Sequence, residues 1–134
     1  FAASNGLSDT VSRRIRMALD DLLNNIASYA YPSGTTGQVD VAMELWPTRL
    51  VITISDDGMP FDPFSQDTPH VDAPVDDRQL GGLGIHLVRT VMDEVDYARR
   101  SGRNVVTVVK RIEADPRRPQ SAVREASRRL RAQA

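Results

Sequence analysis

Twice along this chain a helical apolar stripe gives way to two β-branched runs joined by a tight turn, and that order constrains the fold more than any other feature. Val11, Ile15, Ala18, Leu22, Ile26 and Tyr29 recur at helical spacing. Ser8 or Asp9 can cap such a helix and Pro32-Ser33-Gly34 can stop it, so the pattern predicts a helix to about Ala30. Val39 to Leu45 then alternates as a strand, Trp46-Pro47-Thr48-Arg49 turns the chain, and Leu50 to Ser55 returns as a second strand. The second cycle is a helix from Ile85 to about Met92, a strand over Val95 to Arg99, a turn at Ser101-Gly102 and a β-branched strand from Val105 to Ile112. Between the cycles, Met59 to Leu80 has no period and is rich in Pro and Asp; loops of that length inside compact domains are usually functional lids or disordered. Strands joined by short turns pair antiparallel, and two helices with one apolar face each cover one side of the sheet. The expected fold is α/β (α+β), a two-layer sandwich of helices on one face of a mixed, mainly antiparallel sheet.

The 134 residues suit one domain with a real core. Its expected limits are 1–113, with a lid at 59–80. Pro116-Arg-Arg-Pro119 closes it, and 114–134 forms a basic tail. Ser121 to Ala134 has a helix-former's composition with too few apolar residues for a core of its own, and disorder is the expectation there. A formal net charge of -1 gives no case for nucleic acid or an anionic membrane as partner. The absence of cysteine removes disulfides and thiolate chemistry and is compatible with a cytoplasmic location. No apolar run is long enough to span a bilayer, and no charged-then-apolar leader opens the chain. Only His70 and His86 are available, too few for a histidine-built zinc site.

Three short motifs carry chemistry. In the first helix two acid–amide pairs compete at i,i+4 spacing, Asp20 with Asn24 and Asp21 with Asn25. The helical wheel sets Asp21 and Asn25 at the edge of the buried stripe and Asp20 and Asn24 further into solvent. From that edge the amide oxygen of Asn25 could bind magnesium, a hard donor for a hard ion, and Asp21 could orient or deprotonate a nucleophile. Asp56-Asp57-Gly58 ends a strand. A buried carboxylate there can accept a hydrogen bond from an exocyclic amine such as that of adenine, and Gly58 would let backbone approach a flat ring. Gly81-Gly82-Leu83-Gly84 precedes a helix, whose free first-turn N–H groups favour an anion. No Lys-Ser/Thr follows, so this is not a P-loop. Each motif also has a bland reading: a solvated helix flank, a plain Asp-Gly turn, a hinge. Lys110 could approach a phosphate or be a solvated strand lysine. Asn104 and Thr107 could line a base pocket or serve turn and sheet surface. His86 reads as structural. Together the motifs describe one ATP site.

At these residues the chain resembles the Bergerat-fold (GHKL) ATPase superfamily shared by DNA gyrase, histidine kinases and MutL. Asp21-x-x-x-Asn25 looks like its N box, Asp56-x-Gly58 like its first glycine box and Gly82-x-Gly84 like its second. The strings Asn25 to Tyr31, Asp56 to Pro63 and Gly81 to Val88 are most similar to anti-sigma-factor serine kinases of the RsbW/SpoIIAB type. The resemblance implies Mg-ATP as cofactor. It also implies phosphorylation of a serine on an anti-sigma-factor antagonist of the STAS type, often with sequestration of a sigma factor, and often a homodimer. Carried over, Asn25 is the magnesium ligand, Asp21 the catalytic base, Asp56 the adenine contact, and Gly58, Gly82, Leu83, Gly84 and Lys110 complete the nucleotide-binding set. Two features depart from the branch: its base is usually Glu where this chain has Asp21, and some members carry Arg before the second glycine box where this chain has Leu80. The family normally has a strand and a helix ahead of the N-box helix, so the chain reads as cut from a longer protein, for which a fusion to a PP2C-type serine phosphatase is one arrangement. A non-catalytic ATP-binding interaction module is the second reading and a histidine-kinase catalytic domain the third.

Overall fold

The N-cap that starts the first helix is made by Ser8, whose Oγ accepts from the Val11 N–H at 3.2 Å. The structure, a computed structural model, describes residues 7–31, 36–65, 83–118 and 123–133. The first helix, α1, spans Asp9–Tyr29, with Asp9 placing a negative charge in the first turn where the helix dipole favours it. Ile15, Ala18, Leu19, Leu22, Asn25 and Ile26 are its buried residues. Tyr29, expected on the buried stripe, is instead 43% exposed and stacks its ring on Phe61, while Ala30 and Tyr31 enter the core.

The strands are β1 (Thr36–Trp46), β2 (Arg49–Asp56), β3 (Glu94–Arg100), β4 (Arg103–Arg111) and β5 (Val123–Gln133); the second helix, α2, spans Leu83–Val91 between β2 and β3. They form one sheet in the order β3-β4-β2-β1-β5. Every described pairing is antiparallel, so the parallel pair that a mixed sheet would need does not occur among the described residues. The β3–β4 turn is Ser101 at φ 50° and Gly102 at φ 75°, two left-handed residues whose twist suits a two-residue hairpin.

Register decides which side chains share a face. Val39, Val41, Met43 and Leu45 of β1 stand opposite Asp56, Ile54, Ile52 and Leu50 of β2, which stand opposite Asn104, Val106, Val108 and Lys110 of β4. That face carries the buried row and packs with Leu19, Leu22, Ile26, Val88 and Met92 as one core. A fully buried Leu or Ile such as Leu22 or Ile52 contributes about 1.5–3 kcal/mol. The two-layer sandwich is as expected. No helix among the described residues is long and apolar enough to cross a membrane.

Residues 123–133 differ from the expectation of a helix-former or a disordered tail. They run antiparallel to β1, Thr36 opposite Gln133 and Leu45 opposite Val123, with a register shift between Val41 and Met43. An open strand edge offers a row of unpaired backbone groups, and pairing with it overrides weak local helix propensity. The connection is anchored where Ile112 N donates to Thr48 O at 3.0 Å and buried Arg118 donates to Pro47 O and Glu113 O. The segment that composition sets apart at 114–134 therefore supplies the fifth strand.

Candidate nucleotide site

The end of α1 meets the turn after β2, so Asp21 and Asn25 lie on the helix that reaches the Asp56-Asp57-Gly58 turn. On α1, Asn25 is 4% exposed and Asp21 is half-buried, whereas Asp20 and Asn24 are exposed, in agreement with the wheel. The Asn25 amide nitrogen donates to Asp21 O one turn back, at 2.9 Å. That bond uses one of the two N–H donors of the amide, and Oδ1, with no hydrogen bond among the described residues, is available as an oxygen ligand on a buried, rigid support. A magnesium ion needs one or two such protein oxygens and takes the rest from phosphates and water. The donor set therefore fits the ion that the sequence implies. The described residues contain no group of three His, Cys, Asp or Glu side chains that could hold a metal without that help. No hydrogen bond or ion pair holds the Asp21 carboxylate among the described residues.

About 7.5 Å of helical rise separates Asn25 from Ala30, which touches the end of β2. Met59 N donates to Ala30 O at 2.8 Å. A Cβ on Gly58 would meet Ala30 O at 2.5 Å and Ala30 Cβ at 2.8 Å. The space that Gly58 keeps free is thus filled by the chain's own helix terminus, rather than by a flat ring as the sequence suggested. Beside it Asp56 is 1% exposed, and its Oδ1 accepts from Gly58 N at 2.9 Å and from Asn104 Nδ2 at 2.8 Å. Both of its hydrogen bonds among the described residues end on Oδ1, which leaves Oδ2 as a free acceptor. Asn104 also donates to Met59 O, and its Oδ1 accepts from Phe61 N and Tyr97 OH. Gly58 O is held by Arg99 at 2.8 Å.

The helix α2 begins at Leu83, with Gly84 in its first turn. Leu87, Thr90 and Val91 line a groove of about 450 Å³ with Val11, Arg14 and Met17, so the end of α2 lies beside the beginning of α1. Gly81, Gly82 and His70, and the lid beyond Ser65, lie outside the described residues. The first part of that lid has a defined conformation. Asp62 accepts from Phe64 N at 2.8 Å, Phe64 is buried, and Arg89 of α2 donates to Phe64 O.

Lys110 does not join the cluster. It stands opposite Leu50 at the far end of β4, about 20 Å of strand from Asn104, lines the groove at the start of α1, and pairs with Asp93 at 3.5 Å. Thr107 pairs with Thr53 on the open face, which puts it away from the helices. His86 is exposed.

Two residues beside the site escaped the sequence reading. Buried Tyr31 donates its hydroxyl to Asp57 Oδ1 at 2.7 Å, and the same oxygen accepts from Gln38 N at 3.1 Å. The Tyr31 hydroxyl and then the Gln38 N–H hold the Asp57 carboxyl below its ordinary range, while burial, and then the Asp57 bond, push the Tyr31 phenol up. This clasp ties the end of α1 to the Asp56-Asp57-Gly58 turn. The only sequence signal was a tyrosine just past the helix and an acid beside Asp56.

Residues 1–110 match the histidine kinase-like ATPase domain family. The serine/threonine-protein kinase BtrW of Bordetella bronchiseptica is 33% identical over 106 residues, 76% of this chain and 75% of that protein. The serine-protein kinase RsbW of Bacillus subtilis is 32% identical over 95 residues, 68% of this chain and 59% of that protein. RsbW of Halalkalibacterium halodurans is 32% identical over 92 residues, 66% of this chain and 56% of that protein. The chain belongs to the histidine kinase-like (GHKL) ATPase family, and within it is similar to serine-protein kinases of the BtrW and RsbW kind. It spans from just over half to three quarters of the length of these relatives.

Proposed function

We propose that the chain transfers the terminal phosphoryl group of Mg-ATP to a serine of a STAS-type anti-sigma-factor antagonist, and that the same domain sequesters a sigma factor. The observation that carries this is the buried Asn25 amide, which one N–H anchors to the helix and whose oxygen is left for a cation, five residues before the helix terminus that meets the Asp56-Asp57-Gly58 turn. Asn25 Oδ1 would hold magnesium, which supplies charge neutralisation on the phosphates. Asp56 Oδ2 would accept from the adenine amine. The first-turn N–H groups at Leu83 and Gly84 would face the phosphates, with Gly82 beside them. The Asp21 carboxylate would orient the incoming serine hydroxyl and take its proton as the oxygen bonds to phosphorus and ADP departs. This reading puts the protein in the cytoplasm, where sigma factors act.

One observation favours a second reading. Asp21 is one methylene shorter than the glutamate usual in this branch, which suits an ATP-binding interaction module without transfer. Incubation with Mg-ATP and a candidate antagonist, read by mass spectrometry for phosphoserine, separates the two. Transfer that falls at least about 100-fold in Asp21→Asn, with ATP binding retained, supports the kinase. ATP binding with no transfer by the unsubstituted protein leaves the interaction module.

A further inference from the structure

We propose that Asn104 is a positioning residue that sets the base specificity of this site by fixing which oxygen of Asp56 faces the ligand; the inference rests on the reading of Asp56 as the base contact. Asn104 is 1% exposed, and its amide has no capacity to spare. A side-chain amide offers two N–H donors and a carbonyl with two lone pairs. Here Nδ2 donates to Asp56 Oδ1 and to Met59 O, both at 2.8 Å, and Oδ1 accepts from Tyr97 OH at 2.6 Å and Phe61 N at 3.2 Å. Turning the amide over would set its carbonyl against the Asp56 carboxylate and the Met59 carbonyl, and its NH₂ against the Phe61 N–H. One orientation satisfies every partner, so Asn104 is locked and cannot itself bond a nucleotide.

Its effect passes through Asp56. With Gly58 N and Asn104 Nδ2 both on Oδ1, the carboxylate plane is fixed and Oδ2 presents acceptor lone pairs only. A ring that offers an amine there, as adenine does, gains a hydrogen bond. Guanine offers a carbonyl oxygen at the same position and meets oxygen with oxygen. A purine with neither group gains nothing. The same amide also pins Met59 and Phe61, so the loop leaving Asp56 and the carboxylate are set by one side chain. Tyr97, reaching across from β3, is what keeps that side chain from turning.

The test compares ATP with purine riboside triphosphate, which lacks the 6-amino group, by calorimetric titration of the full chain in magnesium. The unsubstituted protein should prefer ATP by about tenfold or more, since a buried acceptor left unpaired is costly. In Asn104→Ala the ATP dissociation constant should rise about tenfold while that for the purine analogue moves less than twofold, collapsing the ratio. In Tyr97→Phe the ratio should fall about threefold. A residue that merely supported the fold would weaken both nucleotides together and leave the ratio standing. If the unsubstituted protein shows no preference, the assignment of Asp56 fails first. If it prefers ATP and the variants keep its full ratio, the role of Asn104 is overturned. Should Asn104→Ala lack a cooperative thermal transition, Tyr97→Phe decides alone.

Discussion

Gly58→Ala should destabilise the protein without any nucleotide present. The added Cβ would lie 2.5 Å from Ala30 O and 2.8 Å from Ala30 Cβ. Its nearest neighbour is a backbone oxygen at a helix terminus, so no side-chain rotation relieves the overlap. The turn must lift away from α1, which stretches the 2.8 Å bond from Met59 N to Ala30 O. Overpacking a tight contact costs about 1–3 kcal/mol, and loss of that hydrogen bond adds about 1 kcal/mol. A total of about 2–4 kcal/mol corresponds to a fall in melting temperature of roughly 7–14 °C for a domain of this size. Thermal unfolding followed by circular dichroism, in the absence of ATP, measures it. Adding Ala30→Gly removes the Cβ contact but not the closer one to oxygen, so the double variant should recover less than half of the loss. A Gly58→Ala protein that melts within about 2 °C of the unsubstituted one, yet no longer binds ATP, would refute this reasoning. Gly58 would then be making room for the nucleotide and not for the helix.

Asn25→Ala should abolish the strengthening of ATP binding by magnesium while leaving the far-ultraviolet spectrum unchanged; titrating ATP with and without the ion tests it. Tyr31→Phe should change stability with pH in a defined direction. The Asp57 carboxyl sits below its ordinary value of 3.8 when folded, so its contribution is complete above that value and is lost as the pH falls below it. The variant should therefore lose stability at neutral pH and show a shallower decline on acidification, read from urea midpoints across the acid range. Its loss should also blunt alkaline unfolding, because burial and the Asp57 bond hold the Tyr31 phenol protonated above its ordinary value of 10.0. Lys110→Met should shift the ATP dissociation constant by less than about twofold, the expectation for a solvated residue far from the ligand.

Much of the candidate site was legible because it depends on local geometry. An i,i+4 pair lies on one helix face whatever surrounds it, so the choice of Asp21 and Asn25 over Asp20 and Asn24 needed only the angle to the apolar stripe. The same wheel misplaced Tyr29, which is within about 20° of Leu22 in phase but lies in the last turn of α1, where its ring stacks on Phe61 instead of entering the core. Lys110 shows a different limit. Strand alternation gives the face a residue occupies, but which end of the strand meets the site depends on how sheet and helices are assembled. The fifth strand was hidden by its register shift. Val123 and Leu130, seven residues apart, pair in register with Leu45 and Val39, six apart, across the irregularity between Val41 and Met43, so no simple alternation marks the strand in the sequence.

That fifth strand also sets an order of events. Thr36 finds its partner at Gln133 and Leu45 at Val123, so the outer edge of β1 is completed by residues synthesised long after it. Contacts between distant parts of a chain close slowly and bear the largest loop entropy. While the chain is being made, the helices and the hairpins β1–β2 and β3–β4 can assemble with one strand edge still bare. A nascent chain in that condition is vulnerable to pairing with a neighbour on the same message until residues 123–133 have emerged and taken that edge.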